Sequence, residues 1–364
     1  MKIFVGLSGG VDSSVSAALL KRAGHDVTGV FIKVWQPDWI ECNWKEERLE
    51  AMRAAAHLGI PFVTLDLEKE YKEGVIDYMI AEYAAGCTPN PDVMCNREVK
   101  FGAFWKWAQA KGSDFIATGH YAQNEGERSK EKGVRRLLMG VDTNKDQSYF
   151  LWTLTQDDLK HVMFPVGGMT KPEVRKLAKK FKLPNAEKKD SQGLCFIGKV
   201  DVKEFLAHYT KGNPAAQTGK VLNEAGQTIG THPGALFFTI GERRGFEIDP
   251  AHKSPNDAAF YVVAKDMKAN TVTVSNKDMS GALAGAVKTV RISRVNWISG
   301  VPKIGQALQA RSRYRQELRS IKITEVKDDK ILVTFEEKQD TLTPGQSLVI
   351  YDGEVCIGGG VIGD

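Results

Sequence analysis

Two cysteines, far apart in the chain, lie in segments rich in turn-forming residues. Cys95 belongs to GCTPNPDVMCN at residues 86–96, and Cys195 belongs to DSQGLCFIG at residues 190–198. A single cysteine is usually a small apolar core residue, but two thiols brought together by loops suit sulfur or acyl transfer, because one attacks and the other resolves the product. Asp92 is either a general base or substrate acceptor, or a residue that caps the turn. The two prolines predict an irregular loop that presents Asp92 and Cys95.

The other three cysteines, Cys42, Cys87 and Cys356, bring the total to five. They are scattered and form no zinc-type pairs, so the sequence predicts reduced thiols and excludes a disulfide framework. We expect Cys87 and Cys356 to be structural, leave Cys42 unassigned, and predict no metal site built from protein side chains.

A loop of glycine and serine follows the first apolar run. The string GLSGGVDSS at residues 6–14 comes after IFV and before an apolar helical stripe, the pattern of strand, tight turn and helix. Backbone freedom at Gly9 and Gly10, the serine hydroxyls and the helix N-terminus together form a cradle for phosphate or pyrophosphate. The loop lacks the lysine of a Walker loop, so we expect it to bind pyrophosphate without that lysine. The alternative is an ordinary serine-capped turn.

The elements that must position these residues alternate between strand and helix up to about residue 209, which predicts a parallel α/β domain. Ligands of such sheets lie beyond the carboxyl ends of the strands, so Ile32, near the end of the second strand, is expected to face the same crevice as the glycine loop. The strands after the first are predicted at residues 27–34, 62–67, 115–118 and 137–141.

The pattern changes in the second half of the chain. Glycines recur from residue 212 to 245 and indicate a small, turn-rich module, and β-rich runs from about residue 260 onward indicate an antiparallel barrel. At 364 residues the chain is long enough for two or three domains. We therefore predict a catalytic domain at 1–209, a small central module at 210–275 and a C-terminal barrel at 276–364.

Composition excludes a membrane protein. Charged residues make up 26% of the chain and hydrophobic residues 42%, which is typical of soluble globular proteins. No apolar run approaches the length of a membrane span and no targeting segment precedes the first strand, so we expect a cytoplasmic protein. The net charge of +5 is compatible with a polyanionic partner.

Basic residues gather in the C-terminal third, with Trp297 and Tyr314 among them, a pattern that favours phosphate neutralisation and base stacking on RNA. The alternative is a solvated strand face, since strand alternation points every second residue outward. The basic residues are Lys288, Arg291, Arg294, Lys303, Arg311, Arg313, Arg315, Arg319 and Lys322.

The glycine loop resembles the pyrophosphate loop of the N-type ATP pyrophosphatases, which cut ATP between the α and β phosphates and adenylate a substrate oxygen. Together with the two cysteine segments, it resembles the bacterial-type tRNA-specific 2-thiouridylases along nearly the whole chain, as far as TPGQ at residues 343–346. One segment departs from that family's pattern: its YTIGQRKG is FTIGERRG here, at residues 238–245.

The resemblance implies a role for each matching residue. Cys95 would be the nucleophile, Cys195 would receive a persulfide sulfur, and Asp92 would act beside them. His120 is either a tRNA contact or a structural histidine. ATP would be held by Gly6, Leu7, Ser8, Gly9, Gly10, Val11, Asp12, Ser13, Ile32 and Gly119. The target uracil and the tRNA would be contacted by Asn90, Pro91, Asp92, His120, Lys145, Asp146, Gln147, Arg313, Tyr314 and Gln346.

The resemblance also implies a reaction, the 2-thiolation of the wobble uridine of tRNA. ATP with Mg²⁺ would adenylate the uracil C2 oxygen and release pyrophosphate, which turns a poor leaving group into AMP. Sulfur would then reach C2 either directly from the persulfide or as sulfide after reduction by Cys95, and the two routes stay open. A cysteine desulfurase or a sulfur-relay protein is the implied donor.

Two other classes of function also stay open. Another adenylating ligase or amidotransferase of the same superfamily, such as a GMP or NAD synthetase, needs no paired loop cysteines, so Cys195→Ser would leave its activity nearly intact. A non-enzymatic RNA-binding protein with a nucleotide fold would release no pyrophosphate from ATP in the presence of tRNA.

Overall fold

The computed structural model describes residues 1–39, 44–126, 133–189, 201–252, 258–276, 287–339 and 342–363. Cys42 and Cys195, with the whole segment at residues 190–198 around Cys195, lie outside these described residues. Within the described part of the chain, no helix is both long and apolar enough to cross a bilayer.

The strands and helices alternate in the first half of the chain, and strands dominate the second. The strands are β1 Lys2–Gly6, β2 Asp26–Lys33, β3 Phe62–Asp66, β4 Phe115–Ala117, β5 Ala122–Glu125, β6 Arg136–Met139, β7 Val162–Met163, β8 Gly219–Leu222, β9 Thr228–His232, β10 Glu247–Ile248, β11 Tyr261–Asp266, β12 Thr271–Ser275, β13 Val287–Trp297, β14 Ala307–Arg311, β15 Arg319–Lys327, β16 Lys330–Gln339, β17 Ser347–Asp352 and β18 Val355–Ile362. The α-helices are α1 Val11–Arg22, α2 Trp44–Leu58, α3 Glu68–Tyr71, α4 Tyr78–Ala84, α5 Pro91–Met94, α6 Phe104–Ala110, α7 Gln156–Leu159, α8 Lys171–Lys180 and α9 Val202–Tyr209. The π-helical stretch Lys72–Asp77 joins α3 to α4, and the π-helical stretch Cys95–Ala103 joins α5 to α6.

The first sheet is parallel, with strand order β3-β2-β1-β4-β7. Its central strand β1 is apolar because it is covered on both faces, and Ile3 and Val5 are fully buried. The register pairs Val5 with Gly29 on one side and with Ala117 on the other, so β1, β2 and β4 end at the same edge. The predicted α/β fold class is confirmed.

One predicted strand belongs to a different sheet. We expected residues 137–141 to form part of the parallel sheet, but β6 forms a hairpin with β5 and pairs antiparallel with β18, through Leu137 with Cys356 and Leu138 with Val355. The apolar pattern of β6 is real, since Leu137 is fully buried, but its packing partners come from the end of the chain. The parallel sheet is completed instead by the two-residue β7.

Two further sheets make up the second half. The central sheet has the order β10-β9-β8-β12-β11, so the β-rich run at residues 261–275 joins this module rather than the barrel. Strands β13, β16, β15, β14, β17 and β18 follow one another, and β13 also pairs with β18, which closes an antiparallel six-stranded barrel as expected. Its interior is filled by alternating apolar residues such as Ile321, Ile323 and Val333.

Candidate active site

The glycine loop joins β1 to α1 at the carboxyl edge of the parallel sheet. Gly9 has φ +76°, and a Cβ there would lie 2.6 Å from the carbonyl oxygen of Glu47, so only glycine fits. The side chains of Leu7 and Val11 are buried in the core and leave only their backbone for a ligand. The Oγ of Ser13 accepts from the backbone N–H of Ser8 at 3.3 Å, which folds the loop back on the start of α1.

Two other predicted nucleotide residues lie beside this loop. A Cβ on Gly119 would come within 2.7 Å of the backbone nitrogen of Ser13, so the end of β4 approaches the loop closely. The pairing of β1 with β2 ends at Val30, and Ile32 therefore lies beyond the end of β1. Because the side chain of Ile32 is buried, any nucleotide contact there is made by its main chain. The loop, Ile32 and Gly119 thus share one edge.

A lysine that the sequence did not indicate also reaches the loop. The first residue of α8, Lys171, places its Nζ within hydrogen-bond distance of both carboxylate oxygens of Asp12. The hydroxyl of Tyr121 donates to the same carboxylate at 2.8 Å. The loop itself has no lysine, and the cation beside it comes from a distant helix instead.

Asn185 is a second residue that the sequence did not single out. Its Nδ2 lies 2.9 Å from the carbonyl oxygen of Gly9, 3.1 Å from that of Gly10 and 2.9 Å from the Oγ of Ser14. Two carbonyl acceptors fix the orientation of the amide, because its own oxygen would be repelled there. Nearby, Lys188 pairs with Glu50 of α2. Both contacts hold residues 183–189 against the loop, just before the segment that carries Cys195.

The segment around Cys95 is helical, which corrects the predicted loop. Asn90 caps α5 by accepting from the N–H of Val93 at 3.4 Å, and Pro91 occupies the first turn. Proline is well tolerated there because that N–H has no partner within the helix, so the proline pair starts a helix instead of preventing one. Cys95 lies one turn beyond Asp92 on the same face and is only 1% exposed.

A cavity of about 270 Å³ lies at the start of this helix and brings together six of the predicted tRNA residues. Gln346 of the barrel fixes its rim by donating to the carbonyl oxygen of Thr88 at 2.8 Å. The lining residues are Met79, Tyr83, Thr88, Pro89, Asn90, Pro91, Asp92, Tyr149, Phe150, Val202, Arg313, Tyr314 and Gln346. Residues of the N-terminal α/β part and of the C-terminal barrel region therefore build the cavity jointly.

Two tyrosines of the cavity, Tyr83 and Tyr149, stay neutral. Burial raises the pKa of Tyr83 to about 12, with the negative charge of Glu242 adding to the effect. Burial also raises the pKa of Tyr149, whose hydroxyl donates to the carbonyl oxygen of Ser312 at 3.0 Å. Neither of these two phenols supplies a base near neutral pH, and Asp92 is the carboxylic acid among the lining residues.

The remaining predicted tRNA residues do not line the cavity. His120 is buried, with its Nδ1 2.8 Å from the Oγ1 of Thr118, as the structural alternative predicts. Burial, together with the charge of Lys100, lowers its pKa well below the usual range, so the ring stays neutral. Gln147 accepts from the backbone N–H of Tyr121 at 3.0 Å, and Asp146 is buried. Lys145 beside them is half-buried.

The remaining cysteines and the basic residues are placed largely as expected. Cys87 is half-buried and Cys356 fully buried, and burial raises the pKa of the Cys356 thiol to about 12.

The basic residues of the C-terminal third are exposed, with one exception, Arg311. In the departing segment, Glu242 accepts from the N–H of Thr239 and pairs with Lys203 of α9.

Comparison with known proteins covers the whole chain. Three domain models match, described as the tRNA methyl transferase HUP domain at residues 1–199, the tRNA methyl transferase PRC-barrel domain at 203–276 and the aminomethyltransferase beta-barrel domain at 287–362. A tRNA-specific 2-thiouridylase MnmA of Lactococcus lactis is 44% identical over 99% of this chain and 94% of its own length. The protein of the same name from Thiobacillus denitrificans is 44% identical over 99% of both chains. The chain therefore belongs to the tRNA-specific 2-thiouridylase family.

Proposed function

We propose that this protein uses ATP to replace the C2 oxygen of the wobble uridine, position 34, of tRNA with sulfur. The observation that carries the proposal is the cavity of about 270 Å³, close to the lower limit of small-ligand sites, ~300 Å³. It offers one carboxylate, Asp92, one exposed guanidinium, Arg313, and an aromatic ring, Tyr314, which suit a base flipped out of an anticodon loop. Relatives of matching length carry the name of this activity.

In the first step, the uracil becomes an adenylate. The carboxylate of Asp92 accepts the proton of uracil N3, so that negative charge develops on O2. O2 then attacks the α-phosphorus of ATP, an O–P bond forms, and the bond to the β-phosphate breaks with the electron pair leaving on pyrophosphate. The glycine loop, the N-terminus of α1 and the ammonium of Lys171 offset the charge of that leaving group.

We assign Mg²⁺ to this loop as a cation that would bind together with ATP. Among the described residues, no group of three or more His, Cys, Asp or Glu side chains is placed to hold a metal. Mg²⁺ commonly binds through one or two carboxylates together with phosphate oxygens, and Asp12 is the carboxylate of the loop that would contact it. When bound, the ion neutralises phosphate charge.

In the second step, Cys195 carries the incoming sulfur as a persulfide and Cys95 resolves the product. If the terminal sulfur attacks C2, AMP leaves, and Cys95 then attacks the Sγ of Cys195 and releases the thiolated base. If Cys95 attacks that Sγ first, sulfide leaves and attacks C2, and the C2–O bond breaks with AMP as the leaving group. Each route oxidises the two thiols to one Cys95–Cys195 disulfide, returns a proton to N3 and requires an external thiol to restore the enzyme.

Residues on both sides of the Cys195 segment support its role. Lys188 is paired with Glu50 beside the glycine loop, and Val202 lines the cavity. Val202 lies seven positions after Cys195. At ~3.5 Å per residue, this length of chain spans at most about 25 Å. This length of chain is therefore sufficient for Cys195 to meet the adenylated base at the cavity.

The partners follow from the chemistry. The persulfide must come from a cysteine desulfurase or a sulfur-relay protein, and tRNA lies across the exposed basic residues of the barrel. We place the reaction in the cytoplasm, where tRNA and ATP are available, and divide the chain into a catalytic domain at 1–209, a central module at 210–275 and a barrel at 276–364. The two rival classes, a ligase and a non-enzymatic RNA-binding protein, are not favoured by the relatives' names.

The test is a transfer assay with purified protein, ATP, Mg²⁺, a persulfide donor and unmodified tRNA, followed by mass analysis of the nucleosides. We expect a sulfur-for-oxygen exchange that disappears with Cys95→Ala and with Cys195→Ala. Cys87→Ala, at a half-buried cysteine outside the site, is the matched control and keeps the activity. Thiolation that survives both replacements, or a methyl group in place of sulfur, would overturn the proposal.

A further inference from the structure

Asp146, which the resemblance assigns to tRNA contact, is the centre of a buried polar cluster. Its side chain is fully buried and accepts from the N–H of Gly140 at 2.9 Å. It also accepts from the N–H and the Oγ of Ser148, both at 3.1 Å. The fourth donor is the guanidinium of Arg311, at the end of β14 in the barrel. The carboxylate therefore holds together the loop at residues 140–150, which we call the 140–150 loop, and it is not exposed to solvent.

Arg311 is equally enclosed. Its side chain is 4% exposed, and the guanidinium donates to the hydroxyl of Tyr351 from Nη2 at 2.7 Å and lies over that ring, 4.9 Å from the centroid. The hydroxyl of Tyr351 is also 3.1 Å from the Oγ of Ser148. A buried ion pair is tolerated only where further hydrogen bonds satisfy its members, and here both charges have several. Removing one partner would leave the other uncompensated.

The residues immediately after Arg311 form the turn that carries two predicted tRNA contacts. The Oε1 of Gln316 accepts from the N–H of Ser312 at 2.9 Å and from the N–H of Arg313 at 3.1 Å. The Nε of Arg315 crosses to the catalytic domain and donates to the carbonyl oxygen of Asn144 at 2.9 Å. This leaves Arg313 exposed at the tip of the turn.

The same turn touches the cavity. The ring of Tyr314 packs against that of Phe150 at 4.8 Å between centroids, and both line the cavity. The 140–150 loop and the 311–316 turn are also held together at three further points. These are the Arg311–Asp146 ion pair, the hydrogen bond from Tyr149 to Ser312 and the hydrogen bond from Arg315 to Asn144.

Building on the proposed function, we propose that Asp146 and Arg311 are positioning residues for tRNA. Their buried ion pair sets the place of the Arg313–Tyr314 turn over the target-base cavity, so that tRNA binding depends on two charges that do not touch RNA. Arg313 then meets a phosphate of the tRNA while Tyr314 meets the base, with the spacing between them fixed by the pair. A misplacement of about 1 Å in a group that aligns the reactants can lower the rate of a reaction by about 100-fold.

A double-mutant cycle on tRNA affinity tests this proposal. If Arg311 acts through the Arg313–Tyr314 turn, then Arg311→Met and Arg313→Met each weaken tRNA binding by about tenfold, and the double variant weakens it by clearly less than about 100-fold, the product of the two single losses. Additive losses would mean that Arg311 acts independently, and would overturn the proposal. Asp146→Asn is expected to behave as Arg311→Met does, while Arg311→Lys restores part of the affinity.

Glu82→Gln is the control, because it breaks another ion pair between the catalytic domain and the barrel, with Arg294, away from the turn. It should not weaken tRNA binding, because it leaves the charge of Arg294 available to phosphate. ATP affinity without tRNA should be the same in every variant. Hydrogen exchange at residues 312–316 should accelerate in Asp146→Asn and not in Glu82→Gln, a readout that a general loss of stability would not confine to the turn.

Gln316→Ala covers the case in which the buried pair is needed for folding. It removes the acceptor of the turn, leaves the charges in place and should also weaken tRNA binding by about tenfold. Unchanged affinity in this variant would overturn the proposal. Neither tRNA binding nor hydrogen exchange depends on catalysis. A wild-type protein that binds tRNA but forms no thiouridine would therefore refute the proposed reaction. The inference about Asp146 and Arg311 would still be tested by the binding and exchange data.

Discussion

The Nζ of Lys171 lies 2.7 Å from Oδ1 and 2.8 Å from Oδ2 of Asp12, so a helix far along the chain supplies a cation to the glycine loop. The two side chains are 11% and 29% exposed, which shields the pair from full screening by water. When ATP binds at the glycine loop, a small movement of the Lys171 side chain would let its ammonium contact phosphate oxygens as well as Asp12.

Lys171→Met should lower ATP affinity by about tenfold or more, because a charged hydrogen bond contributes ~1.5–3 kcal/mol and tenfold corresponds to about 1.4 kcal/mol. Titration calorimetry without tRNA measures this directly. Lys176→Met, at an exposed lysine of the same helix, is the matched control and should bind ATP normally. Equal affinities in the two variants would show that Lys171 only supports Asp12.

Asn185→Asp should damage the glycine loop more than its small change in shape suggests. The substitution replaces a donor of three hydrogen bonds by an acceptor that faces two carbonyl oxygens. We expect the free energy of unfolding to fall by about 1–3 kcal/mol and ATP affinity to fall with it. Urea unfolding and calorimetry give the two quantities, and a variant with wild-type values for both would contradict the assigned contacts.

The three cysteines within the described residues should react with an alkylating agent in an order set by burial and pKa. Cys87 is half-buried and should be labelled first, and Cys95 is 1% exposed and should be slower. Cys356 should stay unlabelled at pH 8 until the protein unfolds, because burial raises its pKa to about 12 and the thiolate is the reactive form. Peptide mapping by mass spectrometry follows each site. Labelling of Cys95 as fast as that of Cys87 would contradict this order.

Stability should fall in mild acid because of His120. The folded protein keeps this ring neutral, since its pKa lies well below 6.5, whereas the unfolded chain protonates it near that value. The unfolded state then binds more protons, so the free energy of unfolding decreases as the pH falls below 6.5, by up to about 1.4 kcal/mol per pH unit from this group. His120→Gln removes this contribution. Denaturant unfolding of both proteins at pH 7.5 and 5.5 should show the smaller loss in the variant, and equal losses would refute the prediction.

The glycine loop and the α/β class were predictable because their signals are local. The string at residues 6–14 contains its own strand end, turn and helix start, and Gly9 does need the positive φ that its residue type allows. Lys171 and Asn185 were not predictable in this way, since each reaches the loop from a remote element and neither belongs to a motif. The position of Ile32 near the end of β2 did place it at this edge of the sheet, whereas Gly119 was indicated by the resemblance alone.

Two errors have specific physical causes. The proline pair before Cys95 was interpreted as preventing a helix, although a proline in the first turn, after an asparagine cap, starts one. The strand β6 was assigned to the nearest sheet in sequence, but its hydrogen-bond partner is β18, near the end of the chain. An apolar strand pattern reports burial and carries no information about which strand it pairs with.

The antiparallel pairing of β6 with β18 determines how the protein can be dissected. A polypeptide truncated before the barrel would keep the β5–β6 hairpin but lose its neighbour, so Leu137 and Leu138 would border an open row of backbone donors and acceptors. Such an edge is a template for aggregation. Expression of the catalytic part alone is therefore expected to give insoluble material, and deletion of the barrel would report on misassembly instead of on the contribution of RNA binding.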